Sequence, residues 1–436
     1  MKKRLIAILL MLALTVGMLA ACSGKKAAEI AEPVTLTYLT WNYADRPEST
    51  DFWIKGCKEK FNITIEMQNS PTENYAAALK TRMSGNDMPD LVMTHGIYPD
   101  YSSVDAKFTA ETFLDLSQLE NIQNFDPSAL GGVTIDGKIF YVPISAMTAG
   151  VLYNKQVFAD NGLKIPTNYD ELIAVMETLK GNGIAPLAGS FGEAWTCQII
   201  PIIAMDAYVT AQDPDMGIKV YNSGNNTSSM TYASMGDAAV KAIGLGKKWV
   251  DAGYFTNDPA GSDASAACQM LATGKAAMFI SGDWEYAAAA GVSEDPENIG
   301  FFALPLNNSG DPIVMPSKAD EGMCINANSE NIEAAKIAMN YYLSDEIQQV
   351  VINETGLTST NKNCTASGIF SNEVASALQN ANSMPKGWLG GTAYWMPRNA
   401  SFNLEIETQS VLCGIKTAEE FLADLDACIA EVTAQN

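Results

Sequence analysis

The sequence predicts an α/β protein of two lobes, each a mostly parallel sheet flanked by helices. Three observations carry that expectation. The chain has 436 residues, beyond the size at which one hydrophobic core usually stops growing. Period-two apolar alternation and amphipathic helical stretches take turns along it, the pattern of strands joined by helical crossovers. The alternation is interrupted by an extended region at 137–153 and then begins again, as two sheets linked by a crossing chain require.

Residues 1–21 combine Lys2, Lys3 and Arg4 with an apolar run over 5–18 and a small-residue exit, which describes an export signal. The run is shorter than the ~20 residues a membrane-spanning helix needs. It ends in Leu19-Ala20-Ala21-Cys22, similar to the lipobox of bacterial lipoproteins. That resemblance implies acylation of Cys22, which becomes the mature N-terminus of a protein tethered to the membrane. Residues 22–33 are small, polar and charged, without apolar period, and read as a flexible linker. Ten such residues reach about 30 Å at ~3.3 Å per residue.

The first strand is expected at 34–40, an amphipathic helix at 50–61, a second alternating strand at 63–67, a helix at 74–84 and a short strand at 90–93. Two extended pieces follow in 137–153, and Pro143-Ile144-Ser145-Ala146-Met147 resembles a crossing between lobes. The second set opens with helices at 154–161 and 168–180, where Asn168 or Thr167 is the candidate N-cap. Segment 199–208 is apolar all round and predicts a buried helix, whereas 222–231, rich in Asn and Ser, predicts a surface loop. Strands are expected at 276–280, 301–305 and 322–326, and helices at 332–343 and 345–353. No internal repeat is present.

Composition narrows the function. Net charge is −23. The leader removes three cations and no acids, leaving 24 of the 27 Lys and Arg against 50 Asp and Glu, or −26. Nucleic acid and anionic lipid are unfavourable partners for such a surface. Of 8 cysteines, no two stand at metal-ligand spacing. With Cys22 acylated an odd number remains, and most are expected to be small buried hydrophobes. The single histidine, His95, excludes most His-based metal sites and leaves a Ser-His-Asp triad with only one conceivable base. Ala188-Gly189-Ser190-Phe191-Gly192 lacks the first glycine of a nucleophile elbow. There is no Walker A pattern, and Asp213-Pro214-Asp215-Met216-Gly217 is too short for an EF-hand loop. No cofactor and no metal is expected.

Five stretches, taken in order, resemble the family 1 extracellular solute-binding lipoproteins of carbohydrate ABC importers, the maltose-binding-protein-like group. They are Ser84-Gly85-Asn86-Asp87-Met88-Pro89-Asp90, Asp136-Gly137-Lys138-Ile139-Phe140-Tyr141-Val142-Pro143, and Leu152-Tyr153-Asn154-Lys155-Gln156-Val157-Phe158. Gly274-Lys275-Ala276-Ala277-Met278-Phe279-Ile280-Ser281-Gly282-Asp283-Trp284 and the late pair at 331–344 and 345–348 complete the set. The resemblance implies a two-lobed periplasmic-binding-protein (Venus flytrap) fold that clamps its ligand. It places lobe 1 at 34–143 plus 299–343 and lobe 2 at 144–298 plus 344–436. It further implies a non-enzymatic monomer, lipid-anchored on the extracellular face of the cell membrane, that hands a sugar to ABC transporter permease subunits.

Open α/β sheets hold ligands outside the carboxyl ends of their strands, and that rule selects candidates. In lobe 1 these are Trp41, Asn42, Tyr43, His95 and Ser145, with Glu321 ahead of a later strand; in lobe 2 they are Glu193, Trp195, Asp283 and Trp284. Trp395 joins them from a Gly-rich stretch at 387–397. A sugar needs flat aromatic surface for its C–H face and carboxylates or amides for its hydroxyls, and this set supplies both. Trp53 and Trp249 lie on amphipathic helices and are expected to pack in cores. Capping or hydrogen bonding is as good a role for His95 as ligand contact. Asp283 and Glu321 are equally well read as solvated loop acids. Two carboxylates suffice for glycoside hydrolysis, so a secreted glycan-acting hydrolase is the alternative. The acidity leaves a polyamine or other cationic solute as alternative cargo.

Overall fold

The computed structural model describes residues 32–41, 43–94, 111–131, 134–135, 137–210, 236–319, 321–384 and 402–434. The expected signal peptide, Cys22, Asn42, His95, the loop at 222–231 and Trp395 lie outside them.

The chain forms two main sheets. The first runs Ile63–Asn69, Val34–Thr40, Leu91–Thr94, Gly322–Ile325, Val142–Pro143. Its first three strands are parallel, and Gly322–Ile325 is antiparallel to both of its neighbours. Helix Pro47–Phe61 starts on a proline, whose missing N–H costs nothing at that position, and ends at Asn62 in the left-handed region, φ 59°. Its Trp53 is fully buried, donates from Nε1 to the Ala338 carbonyl at 3.0 Å, and lies edge-on between Tyr38 and Tyr342. The Asp90 carboxylate fastens this lobe: Oδ2 accepts from the Thr37 N–H and hydroxyl, both at 2.8 Å, and Oδ1 accepts from Ser329 Oγ at 2.5 Å.

The second sheet runs Asn382–Met384, Val314–Ala319, Ser145–Asn154, Ala276–Gly282, Ala185–Leu187, with Ile299–Phe302 and Thr358–Ser359 also on Ser145–Asn154. Its four antiparallel pairings all involve Ser145–Asn154, and the other strands run in one direction, as do all strands of the first sheet except Gly322–Ile325. Helix Tyr169–Gly181 is capped by Asn168, whose Oδ1 accepts from the Glu171 N–H at 3.0 Å. Glu171 reaches back to the Thr167 N–H and hydroxyl at 2.8 and 2.9 Å. Ile199–Met205 is buried along its whole length, and Trp249 is fully buried in the same core.

Two expected lobe borders move. Strand Ile299–Phe302, placed in lobe 1 from the sequence, pairs with Ser145–Asn154 in the second sheet. Helix Asp345–Thr355, placed in lobe 2, buries Ile347 and Val351 in the first core, and its Glu354 accepts from the Glu48 and Ser49 N–H groups at 2.8 Å. Among the described residues, sheet pairing and hydrogen bonds therefore group 34–143 with 321–357 and 360–365, where Lys362 donates to the Asn124 carbonyl at 2.8 Å and Thr365 accepts from Gln349 at 3.1 Å, and group 145–319 with 369–434. Two crossings lie side by side, with Gly322 paired to Pro143 and Ala319 to Ala146, and a third strand, Thr358–Ser359, lies along them on Ala146 and Ser145 before the chain returns to the first lobe at Lys362. Parallel crossings of this kind let two bodies rotate while few dihedrals change.

Candidate functional site

Pairing register places the carboxyl ends of several strands next to the crossings. In the first sheet Thr94, the last residue of its strand, pairs with Gly322. In the second sheet Gly282, likewise last, pairs with Ala149. Both edges thus adjoin the hinge.

On the first edge, Trp41 follows Val34–Thr40 and is 9% exposed, edge-on to Tyr75 at 4.7 Å. Tyr75 donates to the Met93 carbonyl, tying the ends of both strands to one aromatic pair. Tyr43 is half-buried in the next turn and donates to Asp51 at 3.2 Å; burial and that carboxylate raise its pKa.

Glu321 is not a solvated loop acid. It is 5% exposed and ion-paired with Arg46, itself 3% exposed, at the start of helix Pro47–Phe61. Its backbone carbonyl accepts from the Ile144 N–H at 2.9 Å, so the pair clamps the second crossing to the first lobe. Ser145, wholly buried in the first crossing, has no hydrogen-bond partner for its Oγ. The return of the chain from Thr358–Ser359 to the first lobe is held by Asp345, whose Oδ1 accepts from Asn124 Nδ2 at 3.1 Å and Asn361 Nδ2 at 2.9 Å.

On the second edge, Trp195 and Trp284 are half-buried and pack against one core. They follow Ala185–Leu187 and Ala276–Gly282, which are parallel neighbours with Leu187 opposite Met278. The Trp284 ring lies over Gly282, where a Cβ would collide with it, so glycine there lets the ring lie flat on the strand end. Glu193 accepts from the Ala264 N–H at 3.1 Å and serves the start of helix Ala264–Ala272. Asp283 also departs from the solvated-acid reading: it is wholly buried, with Oδ1 accepting from the Thr148 N–H at 2.9 Å. Burial, partly opposed by hydrogen bonds from Thr148, pushes its carboxyl up to about 7.

The structure thus gathers Ser145, Glu321 and Asp283 around the hinge, and packs Trp195 and Trp284, both half-buried, against one core of the second lobe. Sequence reasoning missed Arg46, Thr148 and Ser317, whose hydroxyls the last two share at 3.2 Å. Arg46 stood beside a helix-starting proline, the one local signal available, and nothing nearby marked its distant partner. Among the described residues, no group of three His, Cys, Asp or Glu is arranged to hold a metal, and no helix is long and apolar enough to cross a membrane.

Two α/β bodies on a three-stranded hinge, with aromatic and acidic side chains at the strand ends beside it, define a ligand-binding clamp. Residues 44–349 match the bacterial extracellular solute-binding protein family, and the chain belongs to it. It is 26% identical to the multiple sugar-binding protein of Streptococcus mutans, with 77% of each chain covered. It shares its fold with a chitin oligosaccharide binding protein, at a TM-score of 0.76 and 21% identity over 92% of this chain and 99% of the other. A Bacillus licheniformis sugar transporter protein in complex with stachyose gives a TM-score of 0.75 at 16% identity, over 91% of this chain and 100% of the other. The Venus flytrap architecture implied by the motifs is therefore the observed one.

Proposed function

We propose that this chain is a lipid-anchored receptor that captures an oligosaccharide between its lobes and delivers it to the permease of an ABC importer. The observation that carries the reading is Trp284, half-buried just past the strand end at Gly282, which pairs with the hinge strand at Ala149, together with Trp195, half-buried on helix Ala194–Cys197 against the same core. The two tryptophans offer stacking surfaces for sugar C–H faces, whereas Trp41, packed in the first core, would present only an edge from the opposite lobe. Asn42, Tyr43, His95, Ser145 and Trp395 are further candidate contacts. Glu193 and Glu321 act as positioning residues, since their carboxylates already serve a helix start and a buried ion pair.

A ligand that touches both lobes only after rotation has differential affinity for the closed form, which shifts the population toward it and signals occupancy to the transporter. Relatives and neighbours named for sugars, chitin oligosaccharide and stachyose support the cargo class. Acylation at Cys22 would hold the monomer beside its permease. Thermal denaturation with stachyose, a chitin oligosaccharide, maltodextrins and spermidine tests the reading, because a ligand that binds only the folded state raises the midpoint. At least one sugar is expected to stabilise without being cleaved. Stabilisation by spermidine alone would reject the sugar, and turnover of a stabilising sugar would reject the receptor.

A further inference from the structure

Trp195 stands on helix Ala194–Cys197, a helix of only 4 residues. So short a helix has almost no stability of its own, and its place is set by what holds it. Thr196, the residue next to Trp195, is buried, and its hydroxyl ties the helix to the loop ahead of it. Oγ1 donates to the Ser190 carbonyl at 2.7 Å, with the Glu193 carbonyl also within reach at 2.9 Å, and accepts from Ser190 Oγ at 2.9 Å. Ser190 is buried as well. The serine of the elbow-like stretch 188–192 is thus engaged in a hydroxyl pair instead of being presented as a nucleophile.

That loop is itself fixed from two sides. On one side the Gly189 N–H donates to Thr256 Oγ1 at 3.1 Å, the Phe191 N–H to the Pro259 carbonyl at 2.7 Å and the Gly192 N–H to the Ser262 carbonyl at 2.8 Å, while the Ala264 N–H returns to Glu193. A Cβ at Gly189 would collide with Pro259, so glycine there permits the close approach of the two segments. On the other side Gln409 Nε2, from helix Leu404–Leu412, donates to the Phe191 carbonyl at 2.6 Å, and Cys197 packs with Phe191 and Leu412. The loop is therefore anchored to parts of the lobe far along the chain. From loop to helix the polar links are the Thr196 N–H to the Glu193 carbonyl at 3.1 Å, weak Cys197 Sγ contacts at 3.9 Å and the hydroxyl pair.

We propose that Thr196, with Ser190, is a positioning residue for sugar binding: it holds Trp195 in its stacking orientation before the sugar arrives. This rests on the receptor reading above, with Trp195 as one of its contacts. Neither hydroxyl is offered to the ligand, since both are buried and bonded to each other. A stacking surface fixed in advance spares the complex the ordering of a large side chain; once released, that ordering falls on the binding step. Thr196→Val has nearly the same shape, yet it removes the partner of both the Ser190 hydroxyl and the Ser190 carbonyl and loosens the helix from its loop.

The test is calorimetric binding of stachyose and a chitin oligosaccharide to the full-length chain, with urea denaturation of each variant in parallel. Thr196→Val is expected to weaken binding about threefold to tenfold, and Thr196→Ser, which keeps the hydroxyl, to recover most of that loss. In the Trp195→Ala background Thr196→Val should cost no further affinity while still lowering the urea midpoint, because the tie is broken but the ring it served is gone. Should Thr196→Val fail to fold, Ser190→Ala removes the other hydroxyl, and the same dependence on Trp195 is expected. Four results overturn the inference and leave the receptor standing: an equal loss with and without Trp195, no loss with Trp195 present, no recovery in Thr196→Ser, or a Trp195→Ala variant that binds as tightly as the unaltered chain. Absence of binding by any sugar overturns the receptor, and the inference with it.

Discussion

Breaking the hinge pair tests whether Glu321 is structural. In Glu321→Gln the Arg46 guanidinium stays buried and charged, with Nε and Nη1 already lacking partners and only the uncharged hydroxyls of Tyr342 and Tyr38 shown beside it. Removing one member of a buried ion pair costs about 3–5 kcal/mol, far more than the 0–1 kcal/mol of an exposed one. Urea denaturation followed by tryptophan fluorescence reads this directly, since Trp41 and Trp53 report on the same lobe. At a slope of about 3 kcal/mol per molar urea, the midpoint should fall by roughly 1 M or more. Replacing both partners, as in Arg46→Met with Glu321→Leu, should recover most of the loss, because a well-packed apolar pair often matches a buried ionic one. A loss below about 1 kcal/mol in Glu321→Gln would refute the argument and return Glu321 to the ligand candidates.

Trp284→Ala and Trp195→Ala should each weaken sugar binding about tenfold or more with the fold retained, measured by calorimetry and circular dichroism; a variant that unfolds instead identifies its tryptophan as core. Gly282→Ala should lift the Trp284 ring off the strand end and weaken binding without touching any polar group, and unchanged affinity would mean the platform is not used. The carboxyl of Asp283 sits at about 7 against an ordinary 3.8, so the folded state holds more protons than the unfolded state between those values and stability falls as pH rises through that window. At ~1.4 kcal/mol per unit the loss is about 4 kcal/mol, absent in Asp283→Asn; parallel pH profiles for the two proteins in urea denaturation would contradict it. Native-state alkylation with mass mapping should label Cys413, the exposed thiol among the described residues, ahead of Cys57 and Cys197, which are buried and pushed up to about 12.

Local pattern announced much of this architecture. The strand at Val34–Thr40, the Asn168 cap, the buried helix Ile199–Met205 and the crossing after Pro143 all follow from periodicity, capping chemistry and one turn of sequence. Trp53 and Trp249 were legible as core because each sits on the apolar face of an amphipathic helix. The lobe borders were not, since an apolar run such as Ile299–Phe302 carries no mark of the sheet it will join. Helix Asp345–Thr355 reveals its lobe only through remote contacts, including Lys60 Nζ with Glu346 at 2.6 Å. Acids were the hardest to read. Glu193, Asp283 and Glu321 look alike in sequence, yet one meets a helix start, one is sealed without a cation and one is ion-paired, and these fates depend on partners far along the chain.

Small-angle X-ray scattering, with and without the sugar that most raises the thermal midpoint, addresses the central claim of a clamp that closes on its ligand. A radius of gyration that contracts at saturation, while the unfolded fraction and the molecular mass stay constant, is the predicted result. An unchanged radius with the sugar demonstrably bound would contradict closure between the two lobes.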